Sequence, residues 1–243
     1  MTTLLQKTRG MNRLIQKAVG QPVAFDEMAQ VLSKLTKTNV FIIGRRGKLL
    51  GESQVPELKG FPFNDDDMQS GQFSEQYNEW LLSSNRTKST ESNHQGRIMS
   101  IVPVFGGGER LGTLVFEKKG ETFTDDDLIL AEYAATITGI EILRLKSERL
   151  EKVAREQAAV QLAVDVLSYS ELEAIKCIFQ HLKGEEGSVV ASKLAEQYRL
   201  TRSVIVNALR KLESAGVIDS RSLGMKGTYI KVLNPYLLKK LEL

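Results

Sequence analysis

The sequence predicts an α+β protein of two domains joined by a long helix, and three observations carry that prediction. Short apolar runs of strand length, such as Asn39–Ile43 and Ile98–Phe105, are interleaved with helical patterns through the first 140 residues. The stretch from Asp125 to about Val166 then contains one glycine and no proline, so it reads as one unbroken helix. Finally, residues 191–243 hold ten lysines and arginines against four acidic residues, while the rest of the chain holds 23 against 26. The basic excess is therefore confined to one end, as a phosphate-binding surface requires.

The N-terminal elements follow in order. Residues 3–19 carry Leu4, Leu5, Met11, Leu14, Ile15 and Val19 at helical spacing, and Gly20-Gln21-Pro22 breaks the helix. Phe25–Leu35 forms a second helix with Met28, Val31, Leu32 and Leu35 on one face. Asn39–Ile43 is a buried strand, Gly44–Gly47 a turn, and Lys48–Leu50 the returning strand. The next stretch is polar, with an Asp65–Asp67 cluster, a predicted helix over Phe73–Leu82 and a loop over Ser83–Gly96. Ile98–Phe105 and Arg110–Glu117 are two more strands around Gly106–Gly108. An antiparallel sheet with flanking helices is the outcome, of the GAF or PAS kind.

Thr124 caps the long helix, with Asp125 and Asp126 at its positive end and Asp127 near the reciprocal capping position. Its first half is apolar on more than one side and packs on the first domain. From Arg144 to Gln157 it turns charged, with Leu150 and Val153 keeping a thin apolar stripe. The expected boundaries are 1–140 for the first domain, 141–167 for the linker helix and 168–243 for the second domain; a single continuous globule is the alternative.

Ser170 and Glu173 form an expected capping box opening the next helix, which Gly184–Gly187 ends. Ser192 is expected to cap a short helix carrying Leu194 and Ala195. After a turn at Tyr198–Leu200, Thr201 caps a helix whose Val204, Ile205, Ala208, Leu209 and Leu212 share a face. Gly216 ends it, and Val217-Ile218 and Tyr229–Val232 are two strands around the basic segment Arg221–Gly227. Tyr236–Leu243 closes the chain as a short helix. Helix, turn, helix and a two-stranded wing make a winged helix-turn-helix, a DNA-reading module. Arg202, Ser203 and Asn207 project where side chains reach base edges; Arg210, Arg221 and Lys226 suit phosphates, with Ser192, Thr201 and Ser222 as further contacts. The bland reading of these cations is a solvated face.

Other chemistries find little support. The chain has 42% hydrophobic and 26% charged residues, with no apolar run of membrane-spanning length and no signal-peptide pattern, so a cytoplasmic, non-membrane location is expected. Cys177 is alone, which leaves a structural thiol or a reactive one and no metal-ligand spacing. His94 and His181 share no motif. Gly107–Thr113 approaches a P-loop but has Thr113 where lysine belongs, and it lies between two strands; a hairpin turn reads better. No catalytic residue, cofactor or metal is expected.

The segment Thr201–Asn234 resembles the DNA-binding domain of the CodY family, transcriptional regulators of Gram-positive bacteria with low genomic GC content. The resemblance extends through LLQKTR (Leu4–Arg9), RRGKLLG (Arg45–Gly51), GGGERLGTL (Gly106–Leu114), DDDLILAEY (Asp125–Tyr133) and LSYSELEAI (Leu167–Ile175). It implies a GAF-type sensor of isoleucine, valine or leucine, a linker helix and a winged domain acting as a homodimer on double-stranded operator DNA. It also implies GTP as an effector, and repression of amino-acid metabolism and stationary-phase genes when nutrients are plentiful. The family's effector motif survives as Gln72–Tyr77, with Ser74 at its proline position, and maps the amino-acid site onto Met68, Phe73 and Tyr77. The family's T-A-F-P-V loop has no counterpart in the short Ser83–Arg97 stretch. The GTP contacts map onto Gly44, which replaces a serine, Arg45, Lys48, Glu141 and Lys146. From residues alone, Arg45, Arg46 and Lys48 are either exposed turn charges or a phosphate site. A first domain that serves only dimerisation or protein docking, leaving DNA binding constitutive, is the alternative.

Overall fold

The computed structural model describes residues 3–17, 23–58, 70–91, 96–182 and 184–242. Met68, the Asp65–Asp67 cluster and His94 lie outside them. The described chain forms two compact units, residues 1–147 and 148–243. Among the described residues no helix is long and apolar enough to cross a membrane.

In the first unit, helices α1 (Leu4–Lys17) and α2 (Phe25–Thr36) precede strands β1 (Asn39–Gly44) and β2 (Leu49–Ser53). Helix α3 (Glu75–Leu82) follows, then β3 (Lys88–Glu91), β4 (Arg97–Gly106), β5 (Glu109–Lys119) and the start of α4 (Asp125–Asp165). The strands form one antiparallel sheet in the order β2-β1-β5-β4-β3. Alternation along the strands divides its residues between two faces. Val40, Ile42, Val102, Val104, Leu114 and Phe116 pack with Met28 and Leu32 of α2 and Leu130 and Ala134 of α4. The opposite face carries Phe41, Ile43, Met99, Ile101 and Val115, covered by Phe73 and Leu81.

Thr124 and Asp127 cap α4 reciprocally, each accepting the other's backbone N–H at 3.2–3.3 Å, as their spacing predicts. Helix α3 begins at Glu75 rather than Phe73, because Ser74 is its cap and accepts from the Tyr77 N–H. Part of the expected loop over Ser83–Gly96 is instead the edge strand β3, paired with β4. Its Lys-Ser-Thr-Glu composition hides it, since an edge strand has no buried alternation and is often protected by lysine. Gly107 and Gly108 form the two-residue turn of the β4–β5 hairpin, not a phosphate loop.

The second unit contains the end of α4, α5 (Tyr169–Leu182), β6 (Glu186–Val189), α6 (Ala191–Gln197), α7 (Arg202–Ser214), β7 (Ile218–Ser222), β8 (Thr228–Val232) and α8 (Tyr236–Lys240). Val160 and Ala163 of α4, Ile175 and Ile178 of α5, Leu194 of α6, and Ile205, Ala208 and Leu212 of α7 share one core.

Three local expectations need correction here. The capping box of α5 is Ser168–Glu171, with the Ser168 N–H donating to Glu171 at 2.7 Å, and not Ser170–Glu173. The LSYSELEAI stretch offers both frames; Lys211 also donates to Glu171 at 2.7 Å and favours the first, while Glu173 pairs with Lys176. Ser192 is not a cap: extended Val190 takes that position, and Ser192 lies exposed within α6. The wing hairpin β7–β8 forms as expected, but its sheet is not two-stranded. Strand β6 pairs with β8 to give a sheet ordered β6-β8-β7. Strand β6 overlaps the Gly184–Gly187 stretch expected only to end the preceding helix, and its Glu-Gly-Ser-Val composition carries no strand signal.

Candidate functional site

Helices α6 and α7 are joined by a tight turn in which Arg199 adopts φ +55°. The Thr201 hydroxyl accepts from the Val204 N–H at 3.3 Å, so it caps α7. Burial of Ile205, Ala208, Leu209 and Leu212 leaves Arg202, Ser203, Asn207 and Arg210 exposed on the other face. Helix α4 opens on three aspartates and α5 on Glu171, whereas the first turn of α7 holds no carboxylate. Its positive end therefore faces solvent with Arg202 beside it, which favours an anion.

The cations of this unit sort into two groups. Lys211 is fixed internally, donating to Glu171 and to the Val166 carbonyl at 3.0 Å. That contact holds the Glu171 carboxyl below the usual carboxylate range. Lys231 lies 3.7 Å from Glu186. Arg202, Arg210 and Lys226 are exposed and have no ion-pair partner among the described residues. Lys193 and Arg199, which motif reasoning passed over, are exposed cations of the same helix-turn-helix. Arg221 pairs with Asp219 at 3.1 Å but keeps 74% of its side chain exposed, so a phosphate can compete for it. Ser222 is exposed and its hydroxyl oxygen accepts from the Gly224 N–H at 3.4 Å.

In the first unit, Phe73 is buried against the second face of the sheet and Tyr77 packs between Phe73 and Trp80, with ring centroids 5.8 and 5.2 Å away. The same segment grips the β1–β2 turn. Phe73 N–H donates to the Gly47 carbonyl at 2.8 Å, Gln72 Nε2 to the Arg46 carbonyl at 2.6 Å, and Asn78 Nδ2 to the Arg45 carbonyl at 3.0 Å. Three consecutive turn carbonyls are thus tied down while the side chains of Arg45, Arg46 and Lys48 stay exposed. This seam joins the Gln72–Asn78 segment to the Arg45–Gly47 turn, a link that sequence spacing alone does not reveal.

The other residues that the resemblance maps to GTP, Glu141 and Lys146, have partners of their own. Glu141 is buried, accepts from the Val23 N–H at 3.0 Å and is gripped by Arg144 at 2.7 Å. Lys146 reaches Glu109 at 3.4 Å beside the β4–β5 turn. That turn lies at the same end of the sheet as Gly44, which pairs with Gly112, and Arg45, whose N–H donates to the Leu111 carbonyl.

Two polar networks escaped the sequence reading. Arg110 donates to the carbonyls of Gly112, Ser84 and Leu81 and to Thr113, and burial pushes its pKa down. Arg97 and Asn39 both donate to the buried Glu117 carboxylate, at 3.1 and 3.0 Å. Their partners lie 20 residues or more apart, and only a charge within an apolar strand hints at them.

Residues 3–166 match the CodY GAF-like domain, and residues 185–243 match the CodY helix-turn-helix domain. The chain belongs to the CodY family. The global transcriptional regulator CodY of Thermoanaerobacter sp. (strain X514) is 54% identical over 253 residues, covering 100% of this chain and 98% of the relative. The regulator CodY of Bacillus pumilus is 51% identical, covering 98% and 97%. Among solved structures, the cofactor binding GAF domain of the nutrient sensor CodY from Clostridium difficile is 32% identical, covers 58% of this chain and 99% of its own, and has a TM-score of 0.44. This CodY-family chain is a DNA-binding transcriptional regulator, with a GAF-type domain ahead of its helix-turn-helix.

Proposed function

We propose that this regulator is mainly a repressor that reads nutrient status in the cytoplasm and controls genes of amino-acid metabolism and stationary-phase adaptation. Isoleucine, valine or leucine occupies the α3 side of the sheet, against Phe73 and Tyr77. GTP uses Arg45 and Lys48 on the Gly44 turn, with Lys146 nearby and Glu141 positioning the start of the linker helix. The seam of three hydrogen bonds from Gln72, Phe73 and Asn78 to the turn carries this reading, because a ligand that shifts α3 must also shift the turn.

On the output side, Arg202, Ser203 and Asn207 read base edges in the major groove, each good contact discriminating by about 1–3 kcal/mol. Arg210, Arg221, Ser222 and Lys226 hold phosphates, and Ser192 and Thr201 line the approach. The domains divide at 1–140, 141–167 and 168–243, the middle stretch linking sensor to reader. A homodimer presents two readers to a palindrome. Exposed apolar residues supply its contact: Ile129 and Ile140 of α4 in the first unit, and Leu150 and Leu162 of α4, with Val166 just after it, in the second.

Isothermal calorimetry of the full chain with isoleucine, valine, leucine and GTP, paired with DNA affinity in the presence of each, tests the reading. Heat of binding with tighter DNA association is expected for at least one branched-chain amino acid and for GTP. No heat from all four would leave the first domain as a dimerisation or docking module and the DNA binding constitutive.

A further inference from the structure

The wing ends in an apolar point. Met225 is 102% exposed, touching nothing of its own chain, and Leu223 beside it is 44% exposed. A large apolar side chain held fully in water gains nothing for the folded state.

The backbone beneath it is nevertheless tied down. Leu223 N–H donates to the Gly227 carbonyl at 2.7 Å, Gly227 N–H to Gly224 at 3.1 Å, and Lys226 N–H to Leu223 at 3.2 Å. Gly227 has φ +97°, and a Cβ there would collide with the Val189 carbonyl, so only glycine lets the tip press onto β6. The tip is therefore short, hydrogen-bonded and braced by a third strand. Arg221, Ser222 and Lys226 flank it along the chain, all exposed.

A hydrogen-bonded apolar point with a cation on either side of it along the chain suits a partner that is anionic at its rim and apolar within. The minor groove of DNA has that chemistry, with phosphates along both edges and sugar and base surfaces between them. Apolar side chains, methionine and leucine among them, wedge between base steps there and kink the duplex, at least cost where the step is flexible. We infer that Met225, supported by Leu223, is a minor-groove wedge that reads the deformability of the operator at a step the recognition helix α7 does not touch. The inference rests on the DNA-binding reading of the wing.

The test uses the full chain and the duplex that it enriches from a pool with a randomised core. Anisotropy titrations at several salt concentrations give affinity and salt slope, and energy transfer between end-labels gives the bend. Met225→Ala should bind about tenfold more weakly, with unchanged salt slope and a straighter duplex, while Met225→Leu keeps affinity and bend. Because the side chain touches nothing in the free protein, folding is not at risk. Wild-type affinity and bend in Met225→Ala would overturn the wedge, as would weaker binding with the bend retained or with a shallower salt slope. If the wild-type chain enriches no duplex, the DNA reading of the wing falls, and the wedge with it.

Discussion

Arg221 shows how one side chain can be both paired and available. Its contact to Asp219 is an exposed ion pair, worth about 0–1 kcal/mol and screened by salt. A DNA phosphate offers a stronger, bidentate acceptor, so in the proposed complex Arg221 exchanges Asp219 for a phosphate. Arg221→Ala should therefore weaken binding to all sequences about equally and reduce the salt slope by about one. Asp219→Ala should act in the opposite sense, tightening binding because Arg221 no longer leaves a partner. Anisotropy titrations between low and moderate salt check both; an Asp219→Ala variant that binds more weakly would mean that the pair holds the wing in shape. Residue-level features were legible where their cause is local. Thr124 and Thr201 cap as read, because a cap involves only three or four neighbouring residues. The choice between Ser168 and Ser170 was not legible, since Lys211, 40 residues beyond Glu171, decides it.

At the level of elements, the strands and helices that bury a face were readable and those that do not were hidden. Strands β1, β4 and β5 announce themselves through continuous apolar runs. Strands β3 and β6 are sheet edges of polar composition, and each is recognised only through the strand it pairs with. The contact between α5 and α7 is similar: it rests on apolar residues that periodicity predicts and on the Glu171–Lys211 bond that it does not. That bond makes a pH dependence. Lys211 and the Ser168 N–H stabilise the ionised carboxylate, so the folded pKa of Glu171 lies below its unfolded value. The stabilisation is then complete above the ordinary glutamate range and fades as pH falls through the folded value. Thermal unfolding of the winged unit in the full chain should show a lower midpoint as pH drops below about 4.5. Glu171→Gln should lower the midpoint at neutral pH and flatten that acid limb. An unchanged limb in Glu171→Gln would show that other carboxylates govern it.

For the whole molecule, the division of labour was legible because charge is partitioned between the two ends of the chain, whereas the exposed apolar residues that the proposed dimer uses look alike whether they are bare or covered by a second copy. Leu150 and Leu162 are 61% and 67% exposed on a helix whose charged residues are of both signs, with Lys152–Glu156 and Arg155–Glu151 pairs beside them. Mixed charge of this kind does not oppose a second identical helix, and an exposed leucine beside paired charges suits a helix–helix contact, each of the two on its own side of α4, about a third of a turn apart. Two tethered readers would bind a palindrome far more tightly than one, typically by 10²–10⁴-fold, without any new contact to DNA. Replacing Leu150 and Leu162 together by lysine leaves the buried core of both units untouched and places like charges across any such contact. Sedimentation equilibrium should then show a monomer where the wild type is a dimer, and affinity for the selected duplex should fall by about the avidity factor while a half-site duplex is bound as before. A variant that stays dimeric, or a wild type that is monomeric at micromolar concentration, would move the two-fold contact off α4 and remove the geometric basis for palindrome reading through this helix.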